Sequence, residues 1–234
     1  MDIRVAGNAE AIMSTDDRIE RAKLFYERAV FGGDASVLAT AERELDEAEA
    51  DLALARGRVM HARFLEQRNA DPARLNEDPR ELALFEHAAQ LYQLAGDARG
   101  EAESLFWIGC FHQVVRQDSD AAVPILERSR ELAAQAGDKQ TMSYALRHLG
   151  IAEHAAGRLD SARERLEESV RLRRETGFMP GVAANLVGLA YIAAADGRRD
   201  EASALIGEAG AIATASGARG IMRQVEEARA QLFA

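Results

Sequence analysis

The sequence predicts an all-α fold, a solenoid of antiparallel helix pairs. Four glycines, Gly96, Gly137, Gly177 and Gly217, stand 41, 40 and 40 residues apart, each at the end of a helix-like segment. A fixed period of a few tens of residues is typical of repeat proteins, in which each unit buries its apolar face by stacking on its neighbours. The composition agrees, because 47% of the residues are hydrophobic, 6% are aromatic and four are proline, a balance typical of close-packed helices.

Each repeat is predicted to hold two helices. The glycine ends one helix, since its missing Cβ tolerates a left-handed conformation, and a new helix starts within two or three residues. In one such first helix the apolar residues follow a single stripe, namely Ala145, Leu149, Ala152 and Ala156. This helix ends at Gly157, and its counterpart one unit later ends at Gly197. Aspartates near these breaks are predicted to cap the second helices, namely Asp120, Asp160 and Asp200.

Small residues recur inside both helices of a unit. They are Gly57, Gly109, Gly150 and Ala190 in the first helices and Ala122, Ala162 and Ala202 in the second. This pattern, with Leu149 and Gly150 midway along one first helix, resembles the tetratricopeptide repeat from roughly residue 50 to residue 234. The usual unit of that family is shorter, and the unit of about 40 residues is nearer to the long repeats of kinesin light chains and of the sensor arms of bacterial signal-transduction ATPases and transcription regulators. The resemblance implies a right-handed superhelix whose first helices line a concave face.

Three regions follow from the register of the repeat. Residues 1–48 are predicted to form a degenerate N-terminal helix pair that caps the array. Residues 49–217 are predicted to hold about four helix pairs, with a long loop near residues 69–80, which contain Pro72 and Pro79. Residues 218–234 are predicted to form a C-terminal capping helix whose apolar residues share one stripe.

The charge and the apolar runs bear on the classes of partner. The formal net charge is −10, and the densest basic run, residues 163–174, is interleaved with glutamates, which argues against direct binding of nucleic acid. The longest apolar run, residues 186–195, is far shorter than the ~20 residues of a membrane-spanning helix. A single cysteine, Cys110, allows no internal disulfide. We therefore expect a cytoplasmic protein with no membrane partner.

The candidate binding residues come from the resemblance. Counting from the small residue of each first helix places a set of aromatic and polar side chains on the concave face, namely Arg58, His61, Phe106, Trp107, Cys110, Tyr144, Arg147, His148, Ile151, His154 and Tyr191. Such a mixture is typical of a surface that binds a peptide or an amphipathic helix. For Phe106 and Trp107, packing between the repeats is an equal alternative.

Known motifs for chemistry are missing from the sequence. His148 and His154 are six residues apart, whereas two metal ligands on one helix favour a spacing of four. We therefore predict no metal, no cofactor and no catalytic residues. The preferred hypothesis is a non-enzymatic adaptor or sensor that binds a protein or peptide, and the resemblance suggests regulation in a bacterium. One alternative is a small-molecule-binding or catalytic pocket at Arg147, His148 and His154. A second alternative is an assembly scaffold, in which the N-terminal helix pair forms a homodimer.

Overall fold

The structure is a computed structural model that describes residues 6–71 and 76–233, with side chains described from residue 17 onward. Within these ranges it contains α-helices, one short 3₁₀ turn and no strands, which confirms the predicted all-α class. The chain divides into two compact units, Met1–Ser104 and Leu105–Ala234.

The first unit is built around one long helix. Its elements are α1 (Ala6–Gly32), the 3₁₀ turn Ala35–Val37, α2 (Leu38–Ala70), α3 (Pro79–Ala95) and the start of α4 (Ala98–Val114). Helix α2 packs on both α1 and α3. It runs without a break through residues 48 and 49, where the sequence analysis placed a boundary between cap and repeats. The glycine within it, Gly57, does not end the helix, because the Phe85 ring occupies the space its Cβ would need, 2.4 Å away.

The predicted long loop lies between α2 and α3. Helix α2 continues to Ala70, and α3 begins at Pro79. The Asp78 side chain accepts a hydrogen bond from the Arg80 backbone N–H at 3.0 Å and so caps α3. Pro72 lies outside the described residues.

The second unit repeats one helix length. After the remainder of α4 come α5 (Ser119–Gln135), α6 (Lys139–Ala155), α7 (Leu159–Glu175), α8 (Met179–Ala195), α9 (Arg199–Ala215) and α10 (Arg219–Phe233). From α5 onward each helix packs on the next, and α10 also contacts α8. Val225 and Ala228 of α10 are buried in the core formed with α8 and α9.

The evenly spaced glycines end second helices, as predicted. Gly96, Gly137, Gly177 and Gly217 follow α3, α5, α7 and α9 with φ between 66° and 72° or at 75°, in the left-handed region. Gly157 and Gly197 adopt the same conformation within a pair, each with φ 75°. The equivalent position one unit earlier is Gln117, which has φ 56° without being glycine.

The predicted N-caps are wrong. Asp118 caps α5 by accepting a hydrogen bond from the Ala121 backbone N–H at 2.9 Å, so Asp120 lies inside the first turn. Arg158 and Arg198 occupy the N-cap positions of α7 and α9 and make no side-chain cap, which likewise places Asp160 and Asp200 in the first turn. The aspartates therefore act on the helix dipole instead of on a free backbone N–H.

The small residues lie where paired helices approach each other closely. A Cβ on Gly109 would lie 2.6 Å from the Leu126 side chain, and one on Gly150 would lie 3.2 Å from the Ala162 carbonyl oxygen. Ala162 has no exposed surface. The close contact between first and second helices therefore requires small residues on both.

Candidate functional site

In the second unit, one group of half-buried side chains combines aromatic and basic residues. We call it the aromatic–arginine face, and it consists of Trp107 on α4, Tyr144, Arg147 and His148 on α6, and Phe178 at the start of α8. Four of these five residues were predicted or left open as binding residues, and Phe178 was not. The face therefore brings together first helices, as the counting from small residues implied.

The aromatic rings of the face are in contact through Phe106. The centroid of the buried Phe106 ring lies 5.0 Å from that of Trp107, 5.2 Å from that of Tyr144 and 5.4 Å from that of His148. Tyr144 also approaches Phe178, with 5.8 Å between centroids. Phe106 thus supports the others from below, which resolves the alternative in favour of packing for Phe106 and leaves Trp107 partly accessible.

Gln113 fixes the orientation of His148. The His148 Nδ1 atom lies 2.6 Å from Gln113 Oε1, and Gln113 Nε2 donates to the His148 backbone carbonyl at 2.9 Å. With Nδ1 as the donor, Nε2 is the acceptor nitrogen, and it lies 4.0 Å from Cys110 Sγ. Gln113 therefore joins α4 to α6 and sets the tautomer of the imidazole.

Cys110, His148 and Gln113 stand in the order of nucleophile, base and orienting amide used by cysteine proteases. The thiol is only 3% exposed, however. Cys110 also lies in the interior of α4, where the backbone N–H groups donate within the helix and leave no pair to hold an oxyanion. The arrangement supports packing between α4 and α6 and does not supply an acyl-transfer site.

Two arginines converge on Asn185 of α8. Arg147 donates to Asn185 Oδ1 and to the Ala184 carbonyl, both at 2.8 Å. Arg173 of α7 donates to the same Oδ1 at 2.9 Å and to the Gly181 carbonyl at 2.8 Å. All of these acceptors are neutral oxygens.

Arg173 is 1% exposed, and its guanidinium stacks on aromatic rings. The guanidinium carbon lies 4.9 Å from the centroid of Tyr144 and 5.5 Å from that of Phe178. One of its terminal nitrogens, Nη2, is buried without a hydrogen-bond partner within the described residues. The rings offset part of the cost of burying the charge, but the hydrogen bonding of this side chain is incomplete.

The positive charge of this pair is not balanced. Burial lowers the pKa of Arg147 to about 10. Burial, together with the charge on Arg147, lowers the pKa of Arg173 to about 9. Both guanidinium groups remain charged at neutral pH, and neither forms an ion pair with any residue in the described part of the chain. Two such charges with neutral partners create a positive potential beside the aromatic rings.

The other predicted binding residues lie in different surroundings. In the first unit His61 is buried with its Nδ1 2.8 Å from Glu81 Oε1, so it does not face a groove. Arg58 is exposed and pairs with Glu103 at 3.0 Å. In the second unit Ile151 is exposed and His154 is half-buried. The Tyr191 hydroxyl donates to Gln231 Oε1 of α10 at 2.8 Å.

Arg173 is the main residue that the sequence analysis missed. It belongs to the basic run that was interpreted as a solvated face, and Arg163, Arg165 and Arg174 in that run do pair with glutamates. The buried stripe of α7 contained the missing signal, because Ala162, Leu166, Ser169 and Arg173 follow one another at helical spacing and all are buried.

Two further searches of the described residues were negative. No group of three or more His, Cys, Asp or Glu side chains in them is placed to hold a metal ion. None of the helices in the described ranges combines the length and the apolarity needed to cross a membrane.

Comparison with known proteins identifies the kind of repeat. Residues 110–175 match the tetratricopeptide repeat family. No curated protein matches the chain in sequence. Two crystal structures of a Podosopora anserina protein named as a kinesin light chain, with nearly identical TPR-like repeats, superpose with TM-scores of 0.50. Their identities are 17% for a variant and 18%, and each covers 79% of this chain and 86% of that chain.

A third crystal structure, that of BtubC (BKLC) from P. vanneervenii, is 16% identical and has a TM-score of 0.49. It covers 91% of this chain and 93% of that chain. The family match and the two Podosopora anserina structures agree with the helix pairs, the period and the small residues found above.

Proposed function

Because the chain is a tetratricopeptide-like repeat protein, we propose that it is a non-enzymatic adaptor that binds a partner's polypeptide segment on the aromatic–arginine face. Tetratricopeptide repeats generally mediate protein interactions. The observation that carries the proposal is the unbalanced charge of Arg147 and Arg173 beside half-buried aromatic rings. The segment therefore carries a carboxylate next to an apolar side chain.

The chemistry of the face supports this division of roles. Arg147 is half-buried and is the guanidinium that a ligand reaches, whereas Arg173 lies behind it and adds to the positive potential. A carboxylate at Arg147 would exchange water for a charge-assisted hydrogen bond in a partly desolvated site, where such bonds are strong. Trp107 and Tyr144 provide rigid apolar area for a neighbouring side chain, as aromatic anchors do in protein interfaces.

A peptide-display selection tests the proposal. A random library is selected on the full chain, and the enriched peptides are measured on Arg147→Gln and on the control Arg128→Gln, which removes an exposed arginine from α5. We expect enrichment of Asp or Glu, a loss of affinity of about tenfold or more on Arg147→Gln, and no change on the control. Peptides that lack acids, or that bind Arg147→Gln equally well, would contradict the proposal.

The alternative of a small-molecule pocket uses the same arginine and is separated by the ligand. Small dicarboxylates and monocarboxylates are titrated while the fluorescence of Trp107, the only tryptophan, is followed. The adaptor proposal expects millimolar or weaker binding for them, since they lack the apolar contacts with Trp107 and Tyr144. The resemblance to sensor arms extends the proposal to a regulatory role in the bacterial cytoplasm, which rests on analogy of fold.

A further inference from the structure

One side of α2 carries large apolar side chains that face solvent at intervals of seven residues. They are Leu38, Leu45, Leu52 and Val59, and between 41 and 53% of each is exposed. The row extends along about 30 Å of helix. Single exposed apolar residues are common in proteins, but a row kept over four successive heptads is typical of a helix that pairs with another helix.

The row lies on a ridge between two neighbouring helices. Helix α1 covers one flank of α2, where Arg21 Nε donates to Glu44 at 2.9 Å. Helix α3 covers the other flank, where His61 faces Glu81. Neither neighbour covers the apolar row, so a further helix can reach it without displacing either one.

A second row, of charged residues, follows the apolar one four positions later in each heptad. Its members are Glu42, Glu49, Arg56 and Arg63, all exposed. Glu49 is near His87, with 2.8 Å between Oε1 and Nε2. Glu42, Arg56 and Arg63 make no ion pair with any residue that the structure describes. The helix is thus acidic along the first half of the row and basic along the second half.

This arrangement is complementary to itself only when reversed. Glu42 and Arg63 lie equally far on either side of the midpoint between residues 52 and 53, and so do Glu49 and Arg56. In an antiparallel pair related by a two-fold axis at this midpoint, each glutamate faces an arginine of the other helix. In a parallel pair in register, Glu42 would face Glu42 and Arg63 would face Arg63.

We infer that α2 is a homodimer surface, on which α2 of a second copy of this chain packs antiparallel about an axis near Leu52. Leu52 then meets its own counterpart, and Leu45 meets Val59 of the second copy. The heptad row supplies the buried apolar seam, and the charged row sets the direction. The surface lies entirely in the first unit and is separate from the aromatic–arginine face.

Light scattering after size exclusion tests the dimer on the full chain. We expect a dimer that dissociates on dilution, and a monomer for Leu52→Glu, because that change places two carboxylates together on the axis. Leu94→Glu is the matched control, since Leu94 lies on α3 and is 76% exposed. Circular dichroism checks that both variants fold. A monomeric wild-type chain at high concentration would overturn the inference, and so would a Leu52→Glu variant that stays dimeric.

Charge reversal tests the direction. Glu42→Arg and Arg63→Glu each place like charges together at two symmetric positions, so each single variant should raise the dissociation constant by roughly tenfold. The double variant restores the pairs only in the antiparallel arrangement and should recover most of the affinity. A double variant that is weaker than both single variants would exclude this arrangement.

Cysteine cross-linking tests the register. In a Cys110→Ala background, Leu52→Cys should form an intermolecular disulfide with its own copy. Leu45→Cys alone should not, but it should cross-link in a mixture with Val59→Cys. Efficient cross-linking of Leu45→Cys to itself would contradict the antiparallel register.

Discussion

Arg147 and Arg173 donate to a single oxygen, Asn185 Oδ1, at 2.8 and 2.9 Å. Two guanidinium groups thus share one neutral acceptor in a largely buried site. Such an arrangement positions both groups but leaves their charge uncompensated. The charge is therefore available to a ligand, and several measurable properties follow from it.

Asn185→Asp should stabilise the free protein and weaken partner binding. The new carboxylate would form charge-assisted hydrogen bonds with both arginines, and we expect the free energy of unfolding to rise by about 1–3 kcal/mol. It would also compete with a ligand carboxylate for Arg147. Urea denaturation measures the first effect and peptide titration the second. Asn185→Leu serves as the comparison and should destabilise, because the buried donors lose their acceptor. If Asn185→Asp lowers stability as well, the pair does not lack negative charge.

Partner affinity should stay constant between pH 6 and 8. Burial lowers the pKa of Arg147 to about 10 and that of Arg173 to about 9, and both values remain above this range. The two guanidinium groups therefore stay protonated, and affinity should start to fall only as the pH rises past about 9. Fluorescence titration across the range provides the measurement. Binding that strengthens as the pH falls from 8 to 6 would instead indicate a histidine as the principal anion partner.

Gln117→Gly should raise stability. Gln117 has φ 56°, whereas the equivalent residues Gly157 and Gly197 adopt φ 75° without a side chain. Relief of the left-handed strain should add about 1 kcal/mol to the free energy of unfolding. The reciprocal variant Gly157→Gln should lose a similar amount. Thermal denaturation of both variants would show opposite shifts, and a fall in melting temperature for Gln117→Gly would count against this interpretation.

Two glycine-to-alanine changes within helices should have opposite signs. A Cβ on Gly57 would lie 2.4 Å from the Phe85 ring, so Gly57→Ala should cost about 1–3 kcal/mol through overpacking. Gly207 in α9 has no atom within 4 Å of the added Cβ, so Gly207→Ala should gain about 0.5–1 kcal/mol from helix propensity. Chemical denaturation measures both. Equal effects would show that contact with Phe85 does not determine the choice of glycine.

Much of the fold was predictable because the repeat fixes both spacing and turn chemistry. The glycines that end second helices and the small residues such as Gly109 and Ala162 could be identified from the period alone. The continuity of α2 could not, since Gly57 is a helix breaker by propensity and only its contact with Phe85 explains its place in a helix. Likewise, the left-handed Gln117 carries no sign of its conformation in its residue type.

The site was predictable in position but not in depth. Counting along first helices brought Tyr144, Arg147 and His148 together, but it could not show that their side chains cover Phe106. His61 was predicted on the groove, yet Glu81 from across the long loop holds it in the interior. Arg173 was missed because its residue type suggested solvent, while its position on the buried stripe of α7 indicated the opposite.

A double-mutant cycle between Arg147 and the ligand carboxylate tests the central claim most directly. A selected acidic peptide and its Asp→Asn or Glu→Gln analogue are each titrated against the wild-type chain and against Arg147→Gln. The account predicts that neutralising the peptide weakens binding to the wild type by about tenfold or more and has almost no effect on Arg147→Gln, so the two losses are coupled. Independent, additive losses would contradict the claim that Arg147 receives the carboxylate.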